Sequence, residues 1–201
     1  MKDQYFLDMY AAEPDPWGFT NRWYEQRKYQ ITMACLPRAR YRRAFEPGCS
    51  VGVLTALLAD RADHVDARDL VPVAVEQTTA RLHATGANDH VSVGRWDMRD
   101  PWPEAVYDLV VLSEVLYYLE ADEAARFMAQ TVEHLDADGH VVVAHWQTRV
   151  PEYPLSGGAA RQIARETAGL QVLGTYRDDD FALDVLGRIG AASVATTTGL
   201  R

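Results

Sequence analysis

The feature that most constrains this chain is a regular alternation of short apolar runs with helical stretches, joined by few residues, from Tyr41 to Arg188. A strand at 42–46 leads through "EPGCSVG" into a helix at 52–61. "HVDARDL" reads as a second strand, and Pro72 suits the first turn of the helix that follows it, "VPVAVEQTTARLHA". "HVSVGRW" is a third strand, and "YDLVVLS" has the apolar run of a central strand buried on both faces. "ADEAARFMAQTVEHL" repeats apolar residues at three and four, and Asp138-Gly139 marks a turn into the strand "HVVVAHW". "AARQIARETA" reads as helix, while "LQVLGTYR" and "FALDVLGR" flank Asp178-Asp179-Asp180 as a hairpin. Such alternation implies an α/β fold on a mostly parallel sheet, and the hairpin requires at least one late strand to run antiparallel.

Outside that core (about 41–188), residues 1–16 read as irregular and 189–201 as a frayed tail, all within one domain of 1–201. A helix capped by Thr20 or Asn21 runs to Leu36, where Pro37 stops it. It carries Tyr24, Ile31 and Cys35 at helical spacing, and Trp23 with Ile31 offers a face to pack on the sheet. The stretch 17–36, with Trp17, Arg22, Tyr24 and Arg27, also suits a lid in which an arginine grips a ligand carboxylate.

Bulk properties exclude several functions. The net charge of −9 over 201 residues opposes a nucleic-acid partner, which needs a basic face, and leaves a small molecule as the expected partner. No apolar run approaches the ~20 residues of a membrane span, and the opening residues do not resemble a signal peptide. Two cysteines, Cys35 and Cys49, form no disulfide framework or zinc pattern, so a reducing cytoplasm is expected. The histidines show no metal-ligand spacing, so no metal is expected. Asp178–Asp180 reads as a turn rather than a calcium site. Monomer and homodimer both stay open.

In parallel sheets, ligands gather beyond the carboxyl ends of the strands. Those positions hold Glu46 and Gly48-x-x-x-Gly52, then Asp69, Asp97-Met98, Ser113-Glu114 with Tyr117 and Tyr118, and His145-Trp146. Gly48-Cys49-Ser50-Val51-Gly52 also matches the G-x-S-x-G of a hydrolase elbow. That reading fails: only about 40 residues precede Ser50 to supply an oxyanion-hole strand, and Asp108 starts "YDLVVLS" at the wrong end of the sheet. A glycine turn followed 21 positions after Gly48 by Asp69 instead has the spacing of an adenine-cofactor site, with Asp69 accepting from the ribose. A dinucleotide would need glycine where Ser50 and Val53 stand, which leaves a nicotinamide as the weaker alternative. S-adenosylmethionine, with no phosphate and a cationic end, tolerates this looser turn and can use Glu46.

"FEPGCSVGVLTALLA", Asp69, "WDM" and "YDLVVLSEVLYYL" resemble the class I S-adenosylmethionine-dependent methyltransferases. "YEQRKYQITMACLP", "EPGCSVGVLT", "SEVLYYL" and "VVVAHW" more narrowly resemble the nodulation-protein-S-like branch, over about residues 15–190. The resemblance implies a Rossmann-like, seven-stranded sheet with an antiparallel last strand and helices on both faces. It also implies N-methylation of a free amine on a deacetylated chitin-like oligosaccharide. Hydroxyl methylation and a non-catalytic cofactor sensor stand as alternatives.

On this reading Gly48 and Gly52 free the backbone to approach the cofactor, Ser50 offers its N–H to the methionine end, and Glu46 sits near the cationic end. Asp97 accepts from the adenine amino group, with Leu70 and Met98 packing on the ring. Ser113 and Glu114 form the floor of the cleft. An amine must shed a proton to attack, so the candidate bases and walls are Glu114, His145, Tyr117 and Tyr118. Asp66 reads as a solvated strand residue.

Overall fold

In the computed structural model, which describes residues 3–201, seven strands form one sheet in the order β3-β2-β1-β4-β5-β7-β6. The strands are β1 (Tyr41–Pro47), β2 (Ala62–Asp69), β3 (Val91–Arg95), β4 (Tyr107–Ser113), β5 (Leu135–Trp146), β6 (Leu170–Arg177) and β7 (Phe181–Arg188). The first five pair in parallel, and β7 inserts antiparallel between β5 and β6. The helices are α1 (Asp3–Ala12), α2 (Trp23–Cys35), α3 (Val53–Ala59), α4 (Pro72–Thr85), α5 (Ala121–His134), α6 (Gly157–Arg165) and the single turn α7 (Val194–Thr197). The α/β alternation, the closing hairpin and its antiparallel strand stand as expected.

Side chains alternate across a strand, so one strand feeds two cores. Leu109 and Val111 of β4, with Val142 and Ala144 of β5, pack with Leu54 and Leu58 of α3 and Ala74 of α4. Val110 and Leu112, with Val141 and Val143, face the opposite way onto Phe127 and Met128 of α5 and Ala160 and Ala164 of α6. Helices therefore cover both faces, and the apolar run of β4 is buried from Tyr107 to Leu112 because neither face meets water.

Several local expectations give way. Residues 3–12 of the N-terminus are helical rather than irregular, because Tyr5, Phe6 and Tyr10 have aromatic and polar partners on the sheet's carboxyl edge. The next helix starts at Trp23, not at Thr20 or Asn21, since Asp15 accepts from Phe19 N, Thr20 N and Thr20 Oγ1 and folds 15–20 into a turn. Trp23 is 66% exposed and does not pack on the sheet. Asp138-Gly139 is no turn before β5 but part of it: Tyr107 pairs with Leu135 and Leu109 with His140, so the extra residues bulge out. Asp66 is buried rather than solvated, paired with Arg43 at 2.7 Å and Arg68 at 3.1 Å. The tail contains α7, capped by Ser193.

α6 is seated by a buried charge. Asp184 on β7 is fully buried and takes Arg161 and Arg165 of α6 at 2.7 and 2.6 Å, with Thr175 Oγ1 at 2.7 Å. The start of that helix presses on the end of β5, where any side chain at Gly157 would overlap the Trp146 carbonyl. Removing the Asp184 charge leaves Arg161 buried without its counter-ion. We expect Asp184→Asn to cost about 3–5 kcal/mol in urea unfolding with an unchanged m-value.

Candidate active site

The site is built where β1, β2 and β4 end. After β1 the chain turns sharply, and Gly48, Ser50 and Gly52 all take positive φ (76°, 51° and 75°). Glycine is required at 48, where a Cβ would overlap Val115 Cγ1, and at 52, where it would crowd Thr78. Gly48 lines a cleft enclosing about 1050 Å³ up to and including its open mouth. Gly52 does not line it; its freedom serves the start of α3.

Two carboxylates lie in the walls of this cleft. Glu46 at the end of β1 is buried and accepts from Thr55 Oγ1 at 2.6 Å. Burial pushes its pKa up to about 8, and the hydrogen bond from Thr55 only partly offsets this. Asp69 at the end of β2 accepts from Ser50 N and Val71 N, both at 2.9 Å, and so ties the glycine turn to the next strand. Burial raises its pKa, against the backbone hydrogen bonds. The Ser50 N–H, expected to be offered to a methionine end, is thus engaged by Asp69, while Ser50 Oγ bonds Tyr10 Oη at 2.6 Å.

Leu70, Asp97, Met98 and Ser113 line the same cleft. Both oxygens of Asp97 are engaged by Arg99, which holds its carboxyl below the usual range and also reaches Asp3 of α1. Ser113 Oγ is buried with no hydrogen-bond partner among the described residues.

Glu114 follows β4 with φ +59°, unusual for a residue with a side chain. Its N–H bonds Ala144 O, and its Oε2 accepts from Trp146 N at 2.9 Å, so the loop is knitted to the end of β5. Its Oε1 meets Lys28 Nζ at 2.8 Å. Burial pushes its pKa up, but Lys28, then His145 and the hydrogen bonds, more than reverse this and leave it lowered.

Glu114, Trp17, Phe19 and Tyr118 are shared between the first cleft and a second cavity, which Arg22, Tyr24, Glu25, Lys28, Tyr117, Trp146, Val150 and Tyr153 complete. Arg22 and Tyr24, expected at a cofactor with Trp17, line the second cavity and not the first. Arg27, expected as a gripping arginine, is bound to Asp178 at 2.7 Å and to Tyr176 on the β6–β7 hairpin. His145 lines neither cavity: it is fully buried, its Nε2 accepts from Leu116 N at 3.2 Å, and burial holds its pKa down at about 4. It is a neutral support beneath the loop, out of reach of the cavities.

Sequence reasoning missed the cover of the cleft. Asp3, Phe6 and Tyr10 of α1 line it, and Phe6 and Tyr10, four residues apart, are the helical signal that could have found them. It also missed Lys28 and Glu25, because three of the four buried residues of α2 (Glu25, Lys28 and Thr32, beside Tyr29) are polar and give no hydrophobic period. Phe19, Tyr29, Trp96 and Arg99 likewise line the cleft without having been singled out.

A parallel sheet with one inserted antiparallel strand, a left-handed glycine turn after β1 and buried carboxylates ending β1 and β2 define the class I methyltransferase fold. A family model described as nodulation protein S (NodS) matches residues 2–152, and the chain belongs to that family. Nodulation protein S of Rhizobium tropici is 29% identical over 138 residues, 68% of this chain and 57% of that protein. That of Sinorhizobium fredii (strain NBRC 101917 / NGR234) is 30% identical over 144 residues, 71% of this chain and 65% of that protein. The chain thus spans less than two thirds of the length of these relatives. Among solved structures, a putative methyltransferase from Pseudomonas syringae has a TM-score of 0.72 at 36% identity, over 83% of this chain and 100% of that one. The N-methyltransferase NodS of Bradyrhizobium japonicum WM9, in complex with S-adenosyl-L-homocysteine, has a TM-score of 0.83 at 22% identity, over 94% and 100% of the two chains, and so shares the fold. Among the described residues no helix is long and apolar enough to cross a membrane.

The buried Glu46 makes a signed prediction. Its pKa is higher folded than unfolded, so the folded protein holds the extra proton between about pH 4.5 and 8 and loses stability as pH rises through that window. Glu46→Gln should therefore melt higher than the ligand-free wild type at pH 8. The gap should close toward pH 4.5 in a melting series across pH.

Proposed function

We propose that this protein is an S-adenosylmethionine-dependent methyltransferase that methylates an amine nitrogen of a small molecule. The observation that carries the reading is Glu114, a carboxylate with an 11% exposed side chain shared by two adjoining cavities. The first cavity suits the cofactor. Gly48 lines it in a left-handed turn that a Cβ would break against Val115, Glu46 suits the amino-acid end, and Asp69 suits the ribose. Asp97 suits the adenine amino group beside Leu70 and Met98, and Ser113, whose buried Oγ has no hydrogen-bond partner among the described residues, lines the same cleft. The second cavity suits the acceptor: Tyr24, Tyr117, Tyr118, Trp146 and Tyr153 supply aromatic walls for a sugar face or an ammonium. Tyr24 Oη is buried there with no hydrogen-bond partner among the described residues.

When bound, S-adenosylmethionine supplies an electrophilic methyl on a sulfonium. The chain's own part is alignment, which can be worth ~7–11 kcal/mol. Glu114, held ionised at neutral pH by Lys28, accepts an N–H of the acceptor and points its lone pair toward the first cavity. A carboxylate with a lowered pKa is a poor store for a proton, so the acceptor arrives as the free base. Burial and the nearby Glu114 hold the phenol of Tyr117 well above its ordinary pKa, so it is a wall and hydrogen-bond donor rather than a base.

The names of the relatives support an amine acceptor, and an amino sugar fits the aromatic walls of the second cavity. The net charge of −9 favours such a substrate over nucleic acid. The two free cysteines fit a reducing cytoplasm.

Calorimetric titration with S-adenosylhomocysteine tests the first cavity: micromolar binding, about 8 kcal/mol, is expected, weakened roughly 10- to 100-fold in Asp69→Ala. No binding by the folded wild type sinks the reading. In a screen of amines with labelled cofactor, Glu114→Gln should lower transfer by at least about 100-fold. Transfer unaffected by that change would remove Glu114 from the acceptor site.

A further inference from the structure

One charged side chain at the site has no part in holding cofactor or acceptor. Lys28 on α2 is 1% exposed, with Nζ 2.7 Å from Glu25 Oε2 and 2.8 Å from Glu114 Oε1. Its ammonium lies over the rings of Phe19, Tyr24 and Tyr29 at 5.7, 5.4 and 5.5 Å. Burial by itself would strip its proton, but Glu114 and Glu25 outweigh burial and keep its pKa raised. Three buried charges are a costly way to fill space, since apolar residues of similar volume commonly serve as well or better. Packing alone therefore leaves Lys28 unexplained.

Resting on the acceptor reading above, we propose that Lys28 is the positioning residue of the acceptor site. Anchored by Glu25 and boxed by three aromatic rings, its ammonium locks the Glu114 carboxylate at the junction of the two cavities. The geometry supports this directly. Lys28 holds Oε1 and the Trp146 N–H holds Oε2, so the carboxylate cannot rotate, yet each oxygen keeps a lone pair for an acceptor N–H. The backbone at Glu114 is left-handed, so a side chain there has few other ways to reach the cavity. Without the ammonium, a protonated Glu114 would present an O–H where the reaction needs an acceptor.

The groups that face Glu114 are Glu25, Tyr24, Tyr29 and Lys28 from α2, Tyr117 and Tyr118 from the loop after β4, and His145 from β5, with Arg22 beside Glu25. Lys28 is the cation in hydrogen-bond contact with it. In Lys28→Met, Glu114 passes from a lowered to a raised folded pKa. Its contribution, present above pH 4.5 in the wild type, then becomes a loss that grows as pH rises.

The experiment measures melting of ligand-free wild type, Lys28→Met and Lys28→Met/Glu114→Gln from pH 4.5 to 8. The gap between wild type and Lys28→Met should widen with pH. The double variant should widen less, keeping only the share of Glu25, which loses the same counter-ion. Widening undiminished in the double variant would assign it to Glu25 and overturn the proposal. A pH-independent gap would mean that Lys28 only packs, and would overturn the proposal. Should Lys28→Met fail to fold, Glu114→Gln alone carries the test, losing more stability at pH 8 than at pH 4 if Lys28 holds an ionised partner. In turnover, Lys28→Met should lower kcat on an amine by about 100-fold, with S-adenosylhomocysteine affinity retained and partial recovery in Lys28→Arg. Wild-type kcat in Lys28→Met would also overturn the proposal. Absence of methyl transfer by the wild type itself would defeat the methyltransferase reading, while the melting series still decides the Lys28–Glu114 link.

Discussion

Three carboxylates stand at the carboxyl ends of β1, β2 and β4, Glu46 and Asp69 buried and Glu114 nearly so, and each is tolerable there only because of a different partner. Glu46 has one hydroxyl from Thr55, and burial pushes it toward the protonated form. Asp69 has two backbone N–H groups, which also pin the glycine turn. Glu114 has a full counter-charge in Lys28 and a backbone N–H from Trp146, and it stays ionised. The same residue type is thus held in different protonation tendencies within one site, by partner rather than by identity. On the proposed reading that ordering follows the chemistry: the carboxylate with the fewest partners awaits the cofactor's cationic end, and the best-held one orients the acceptor.

The segments before the sheet complete what its edge begins. α1 brings Phe6 against Tyr118 and Tyr10 against Ser50, while Asp3 reaches Arg99 beside Asp97. The Asp15 turn places Trp17 and Phe19, and α2 delivers Lys28 and Glu25. Tyr10, Phe19 and Tyr29 of this cover belong to the same apolar core as Leu54, Leu58 and Leu109, with Phe6, Trp17 and Tyr24 packed against it, so the cover is built into the fold.

Much of this was legible in the residues. β4 could be read because a strand buried on both faces must be apolar throughout. The β6–β7 hairpin could be read because Asp178-Asp179-Asp180 interrupts two clear runs. The cleft residues Glu46, Gly48, Asp69, Asp97, Met98, Ser113 and Glu114 were legible because ligand sites in such sheets follow strand ends. Trp17, Tyr117 and Tyr118 also fall where a site residue was expected, at the two cavities. The failures share a cause. α1 looked irregular since its helix depends on aromatic contacts far along the chain. Glu25 and Lys28 of α2 drew no notice because their charges are satisfied by each other and by Glu114, 86 positions away from Lys28. His145 looked available because it ends a strand, but α6 and the loop after β4 seal it.

By itself, then, the sequence determined the succession of strands and helices from Tyr41 onward, the antiparallel closing strand and most of the strand-end residues that line the cleft. These follow from local periodicity and from glycines that a positive φ demands. Only the tertiary structure decided which charges are partnered, which side chains share a cavity and which carboxylate keeps its proton. Those properties depend on burial and on distances between residues remote in the chain, and a one-dimensional pattern carries neither.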